Sequence, residues 1–76
     1  MDRAAKTMEY RGYTGSVEYS DEDGLYFGKV LEVRSLISYE GEMISELIAD
    51  FHDAIDGYLE FCAEEGEEPE RPQPTN

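Results

Sequence analysis

Two hydrophobic periods divide the chain. From residue 44 onward, Ile44, Leu47, Ile48, Phe51, Ile55, Tyr58, Leu59 and Cys62 recur at the i, i+3, i+4, i+7 spacing of an amphipathic helix. The pattern predicts one helix of about 22 residues ending near Glu65, with Gly66 suited to the left-handed C-terminal cap. Met43 stands where Ser or Thr would cap the helix start, so a side-chain cap is absent or comes from elsewhere. Upstream the period is 2. Between Met8 and Tyr19, the residues Tyr13, Gly15, Val17 and Tyr19 alternate with Thr14, Ser16 and Glu18, which predicts a strand with one face on a core. Ser20-Asp21-Glu22-Asp23-Gly24 has the chemistry of a tight reversal. A second arm, Leu25 to Leu31, pairs back on the first, and Arg34-Ser35 leads to a third strand around Leu36 to Tyr39. Glycines 12, 15 and 28 inside strand patterns mark bulges or close backbone approach.

The expected architecture is α+β, a three-stranded antiparallel meander packed on one long amphipathic helix in the order β-β-β-α. Residues 1–7 form a flexible N-terminal arm or an extension of the first strand, residues 8–66 the domain, and residues 67–76 a Pro-rich extended or disordered tail.

Length sharpens this picture. A chain of 76 residues holds one domain and buries only about 60% of its unfolded surface. Small scaffolds compensate with disulfides, a metal or oligomerisation. Cys62 is the only cysteine, which excludes an intrachain disulfide and leaves self-association as the expected remedy. At its apolar helical position Cys62 is a small buried hydrophobe, with no neighbouring cation in sequence to activate it.

Nineteen acids against six bases give a formal charge of -13. Such a field repels phosphate backbones and anionic membranes, so direct nucleic-acid or membrane binding is not expected. The same field accelerates encounter with a basic partner, and it also serves plain solubility. No charged-then-apolar leader is present, and no apolar run approaches the roughly 18 residues of a membrane span. A cytoplasmic protein is expected.

Candidate chemistry is sparse. Glu46, Asp53, Glu60 and Glu64 line the helix opposite its apolar stripe, with Asp50 and Asp56 flanking them. They form either a face for a basic partner or an ordinary solvated side. Tyr26 and Tyr13 are either aromatic contacts on the uncovered sheet face or large core residues. Asp21 to Asp23 resemble the start of a calcium loop, but Leu25 to Phe27 resume strand character at once. His52 lies at the edge of the apolar stripe with no second histidine, so no metal site is expected. No carboxylate pair falls in a motif beside a nucleophile, base or phosphate loop, so neither catalysis nor a cofactor is expected.

The order Tyr10-Arg11-Gly12-Tyr13, Val17-Glu18-Tyr19-Ser20, Asp23-Gly24-Leu25-Tyr26-Phe27-Gly28-Lys29-Val30 and Ile37-Ser38-Tyr39-Glu40-Gly41 resembles the HicB antitoxin family. The resemblance continues through Leu47, Phe51, Ala54, Ile55, Asp56, Tyr58, Leu59, Glu60, Gly66 and Pro69. It implies a partial RNase H-like fold and a small cytoplasmic prokaryotic protein that silences a basic ribonuclease toxin, HicA, by steric and electrostatic occlusion. Asp50, Asp53, Glu60 and Glu64 are the candidate toxin-binding acids. Tyr10, Gly12, Gly24, Gly28, Gly41, Leu47, Phe51 and Tyr58 are the expected fold determinants. The family's C-terminal DNA-binding module has no counterpart here, so autoregulation by this chain is not expected. The competing expectation is a stand-alone HicB-like domain acting as an oligomeric adaptor for another partner.

Overall fold

A computed structural model describes residues 6–72. Its elements are β1 (Lys6–Tyr10), β2 (Tyr13–Ser20), β3 (Leu25–Lys29), β4 (Ser38–Gly41) and α1 (Ile44–Glu65). The strands form one antiparallel meander in the order β1-β2-β3-β4, so the sheet has four strands where the alternation predicts three.

The extra strand comes from a turn hidden inside the Tyr10 to Tyr13 motif. Arg11 and Gly12 have φ of 54° and 87°, the positive values that a type I′ hairpin requires at both central residues. Tyr10 therefore pairs with Tyr13, and Met8 with Gly15. Lys6 and Thr7, expected in a flexible arm or a strand extension, belong to β1, while residues 1–5 lie outside the described residues. The last strand is also shifted, running from Ser38 to Gly41. Leu36 is 82% exposed and lies outside it.

The helix occupies the expected span, with Met43 extended and providing no side-chain cap. Gly66 takes the left-handed cap, and the Glu67 N–H donates to the Cys62 carbonyl at 2.9 Å. Leu47, Phe51 and Ile55 are fully buried against the sheet, joined by Tyr13, Val30, Ile37 and Tyr39. Tyr13 thus belongs to the core, and Tyr26 packs half-buried against it, so neither provides the open sheet face. Cys62 is buried. No described helix is long and apolar enough to cross a membrane.

One side chain locks the sheet. The β2–β3 ladder stops at Glu18↔Phe27 and resumes only as an isolated bridge between Gly15 and Val30. Tyr39 fills the gap. Its hydroxyl donates to the carbonyls of Ser16 and Lys29, at 2.9 and 3.1 Å. The Ser16 hydroxyl accepts the Lys29 N–H at 3.0 Å, replacing a ladder bond. The glycines are explained by this insertion. A Cβ on Gly28 would overlap the Ser16 carbonyl oxygen and stand 2.8 Å from Tyr39 Cε1. One on Gly15 would overlap the Tyr39 hydroxyl and stand 2.8 Å from Phe51 Cε1. Of the two readings of these glycines, close approach is the correct one for 15 and 28, whereas Gly12 serves the turn.

The described part of the tail, residues 67–72, has no regular secondary structure and is docked, while residues 73–76 lie outside the described residues. The Tyr13 hydroxyl donates to the Glu70 carbonyl, and the Glu70 N–H donates to the Tyr58 hydroxyl at 2.8 Å. The Glu70 carboxylate accepts the N–H groups of Arg34 and Ser35, at 2.7 and 3.0 Å, pinning the β3–β4 loop. Arg71 stands over the Tyr13 ring at 5.3 Å. Buried polar side-chain atoms without a partner are absent among the described residues.

The lock can be tested through stability. Tyr39→Phe removes the donor for two carbonyls and should cost about 1–3 kcal/mol in urea denaturation followed by circular dichroism. Gly28→Ala must displace backbone and should cost at least as much. Burial pushes the Tyr39 hydroxyl from 10.0 up to about 12. A group whose folded value is raised contributes stability that is complete below its unfolded pKa. That contribution should therefore be intact below pH 10 and decline as pH rises towards 12, and Tyr39→Phe should flatten the alkaline limb of the stability profile.

Candidate functional site

The acids of this chain are sorted by the two elements that carry them. Antiparallel β4 exposes alternate residues along its outer edge, and α1 runs beside it. The Glu40 N–H donates to Asp50 Oδ2 at 2.9 Å, and the Glu42 N–H donates to Glu46 Oε1 at 3.0 Å. Two helix acids thus fold back onto the edge of the sheet. The second of these bonds also supplies what Met43 does not, because a Glu one turn into the helix secures the incoming backbone much as a capping box does.

Around these contacts Glu40, Gly41, Glu46, Ala49, Asp50 and Asp53 line a shallow hollow of about 420 Å³. Glu40 and Asp50 also border a larger groove of about 800 Å³ whose lining includes Tyr19, Ser20, Leu25 and Phe27. The two concavities share those acids and make one surface: a ridge of carboxylates beside an aromatic-containing groove. Phe27 alternates away from the helix with Glu18 and Glu40 as its cross-strand neighbours. Such an arrangement suits a guanidinium or ammonium group, which donates charge-assisted hydrogen bonds to carboxylates and stacks on aromatic faces.

Of the four predicted acids, the structure brings Asp50 and Asp53 into this surface. Glu60 and Glu64 are exposed farther along α1. At a rise of about 1.5 Å per residue, Glu60 stands about 10 Å beyond Asp53 and outside the hollow. Asp50 is a sheet-edge ligand as well as a surface acid, a role that helical spacing alone does not reveal. Glu40 and Glu42 complete the ridge and were missed as binding candidates. The signal was their placement on either side of Gly41, at the end of an edge strand.

Asp56 lies on the other flank of this acidic line, towards β1. It accepts the Tyr10 hydroxyl at 3.0 Å and pairs with Arg11 at 2.9 Å, the one ion pair among the described residues. His52 stacks on the Tyr10 ring with centroids 3.9 Å apart. These contacts latch the β1–β2 turn to α1. Arg11, followed by the Tyr10 hydroxyl, holds the Asp56 carboxyl below its usual range, and Asp56 in turn raises the Tyr10 hydroxyl. Because Asp56 titrates lower in the fold, the latch contributes at neutral pH and weakens as pH falls through the carboxylate range.

The ridge acids pair with no basic side chain among the described residues. No group of three or more His, Cys, Asp or Glu side chains among them converges to hold a metal ion. Compared with family models, curated proteins and solved structures, the chain matches none.

The two helix acids should separate in a stability assay. Asp50→Ala strips the acceptor from the Glu40 amide and should cost about 1 kcal/mol, whereas Asp53→Ala should stay within about 0.5 kcal/mol of the parent. Equal effects in urea denaturation would contradict the edge-ligand role of Asp50.

Proposed function

We propose that this domain is a HicB-like antitoxin module that binds a small basic ribonuclease of the HicA type and occludes its RNA-binding surface. One observation carries the reading: Glu40, Glu42, Glu46, Asp50 and Asp53 lie along one sheet edge and the adjoining helix, without basic partners, beside a groove containing Phe27 and Tyr19. A ribonuclease must be basic where it holds RNA, and an acidic ridge competes for that site in the currency of the substrate's own phosphates. The contact needs no covalent chemistry. The aromatic groove adds the apolar area that carboxylates alone lack.

The residue pattern that resembles HicB supports the same reading, and a meander followed by a helix is compatible with the partial RNase H-like arrangement implied by that resemblance. A cytoplasmic prokaryotic setting, and no direct contact of this chain with nucleic acid or membrane, belong to the proposal. With an overall charge of -13, long-range steering should dominate the association rate.

The test is an RNA-cleavage assay on the cognate ribonuclease, titrated with the domain at several salt concentrations. The triple variant Glu40→Gln, Glu42→Gln, Asp53→Asn removes ridge charge without touching a side-chain hydrogen bond. At low salt it should slow association by about tenfold, with a much smaller change in dissociation. Inhibition by the variant identical to that of the parent at all salt concentrations would remove the acidic face from the mechanism.

A further inference from the structure

The sheet has two edges, and the chain treats them differently. Along β4 and just past its end, the outward N–H groups of Glu40 and Glu42 are taken by Asp50 and Glu46. The periods match: two strand residues advance about 6.6 Å, and four helical residues about 6 Å, so acids at i and i+4 meet alternate amides of the strand. An incoming strand would find the Glu40 and Glu42 donors occupied and two carboxylates in its path. This edge is closed.

At β1 the edge is open. Tyr10 and Tyr13 flank a two-residue turn and form a hydrogen-bonded pair, so alternation directs the N–H and C=O of Thr7 and Glu9 outward. Neither backbone has a partner beyond β2 among the described residues. The flank of α1 on this side is apolar. His52 stacks on Tyr10, and Ile48 and Ile44, one and two turns earlier on the same side, are 38% and 43% exposed. Local charge is balanced: Lys6 and Glu9 have opposite signs, and Arg11 is paired with Asp56.

We infer that a second copy of this chain adds to the β1 edge, antiparallel about a two-fold axis at Met8, making one continuous eight-stranded sheet. An antiparallel two-fold pairing is self-complementary and closed. This register sets Thr7 against the partner copy's Glu9, and Glu9 against its Thr7, using every outward group of the two residues. A register centred on Glu9 would instead place two like charges opposite each other. Because β1 carries balanced charge, two strongly acidic chains approach there with less repulsion than at the β4 ridge. Met8 and the Ile44–Ile48 flank supply apolar area on the helix side. The pairing leaves the β4 ridge exposed, so the inference is independent of the antitoxin reading and both can hold at once.

Light scattering coupled to size exclusion tests it on the full chain. The parent should run at twice the 8.7 kDa chain mass. Thr7→Pro removes an outward N–H that the β1–β2 ladder does not use, a position that tolerates proline. It should weaken the dimer tenfold or more with an unchanged circular dichroism spectrum. Amide exchange on the unmodified protein provides a readout that does not depend on the variant folding: the Thr7 and Glu9 amides should be protected at dimeric concentrations and lose protection on dilution. A monomer at all accessible concentrations, or a dimer with freely exchanging Thr7 and Glu9 amides, would overturn the inference.

Discussion

The hydroxyl of Tyr39 sits where a hydrogen-bond ladder should be. By donating to the Ser16 and Lys29 carbonyls, it joins β2 and β3 across a gap in their pairing and ties both to β4, its own strand. The side chain passes over two positions with no Cβ, Gly15 and Gly28, and the Phe51 ring packs against it with centroids 4.9 Å apart. Helix position and the identity of two glycines are therefore coupled through one phenol. Everything on the surface inherits its placement from that lock, because β4 and α1 are the elements that Tyr39 and Phe51 hold together.

The remaining hydrogen bonds of the domain secure its periphery in the same manner, with a side chain reaching for backbone that the sheet leaves unpaired. Glu70 holds the loop before β4, and Tyr13 and Tyr58 hold Glu70. Asp50 and Glu46 hold the β4 edge. In a chain with so small a core, these contacts satisfy polar groups that a larger protein would cover with more secondary structure. They also give the acids a double role. The carboxylates that quiet one edge of the sheet against aggregation are the ones that build the acidic ridge, so the closed edge and the candidate binding surface are one feature.

Much of this was legible in the sequence, for identifiable reasons. The helix from Ile44 to Glu65 and its Gly66 cap follow from a long, uninterrupted 3.6-residue period, the strongest signal a sequence carries. The reversal at Asp21 to Gly24 follows from residues that favour turns. The first hairpin was hidden because Arg11 at positive φ is a rare choice for a type I′ turn, so Met8 to Tyr19 read as a single strand. Glycine spacing showed that something approached the strands, but only tertiary structure identifies Tyr39, which is 24 residues from Gly15 and belongs to another strand. Glu70 was equally illegible, since prolines on either side of it mark an extended tail and say nothing about what that tail docks against. Among the candidate acids, helical spacing found Asp50 and Asp53 but could not show that a neighbouring strand brings Glu40 and Glu42 beside them.

The central functional claim is that the acidic ridge exists to meet a basic ribonuclease. Its most direct test is affinity capture of the tagged full chain from its native host, with mass spectrometry and RNA-cleavage assays on whatever co-purifies. The account predicts recovery of a small basic ribonuclease whose activity falls when more of the domain is added. Recovery of the chain alone, from cells shown to express such a ribonuclease, would contradict it and leave a self-associating domain whose ridge serves solubility and edge protection only.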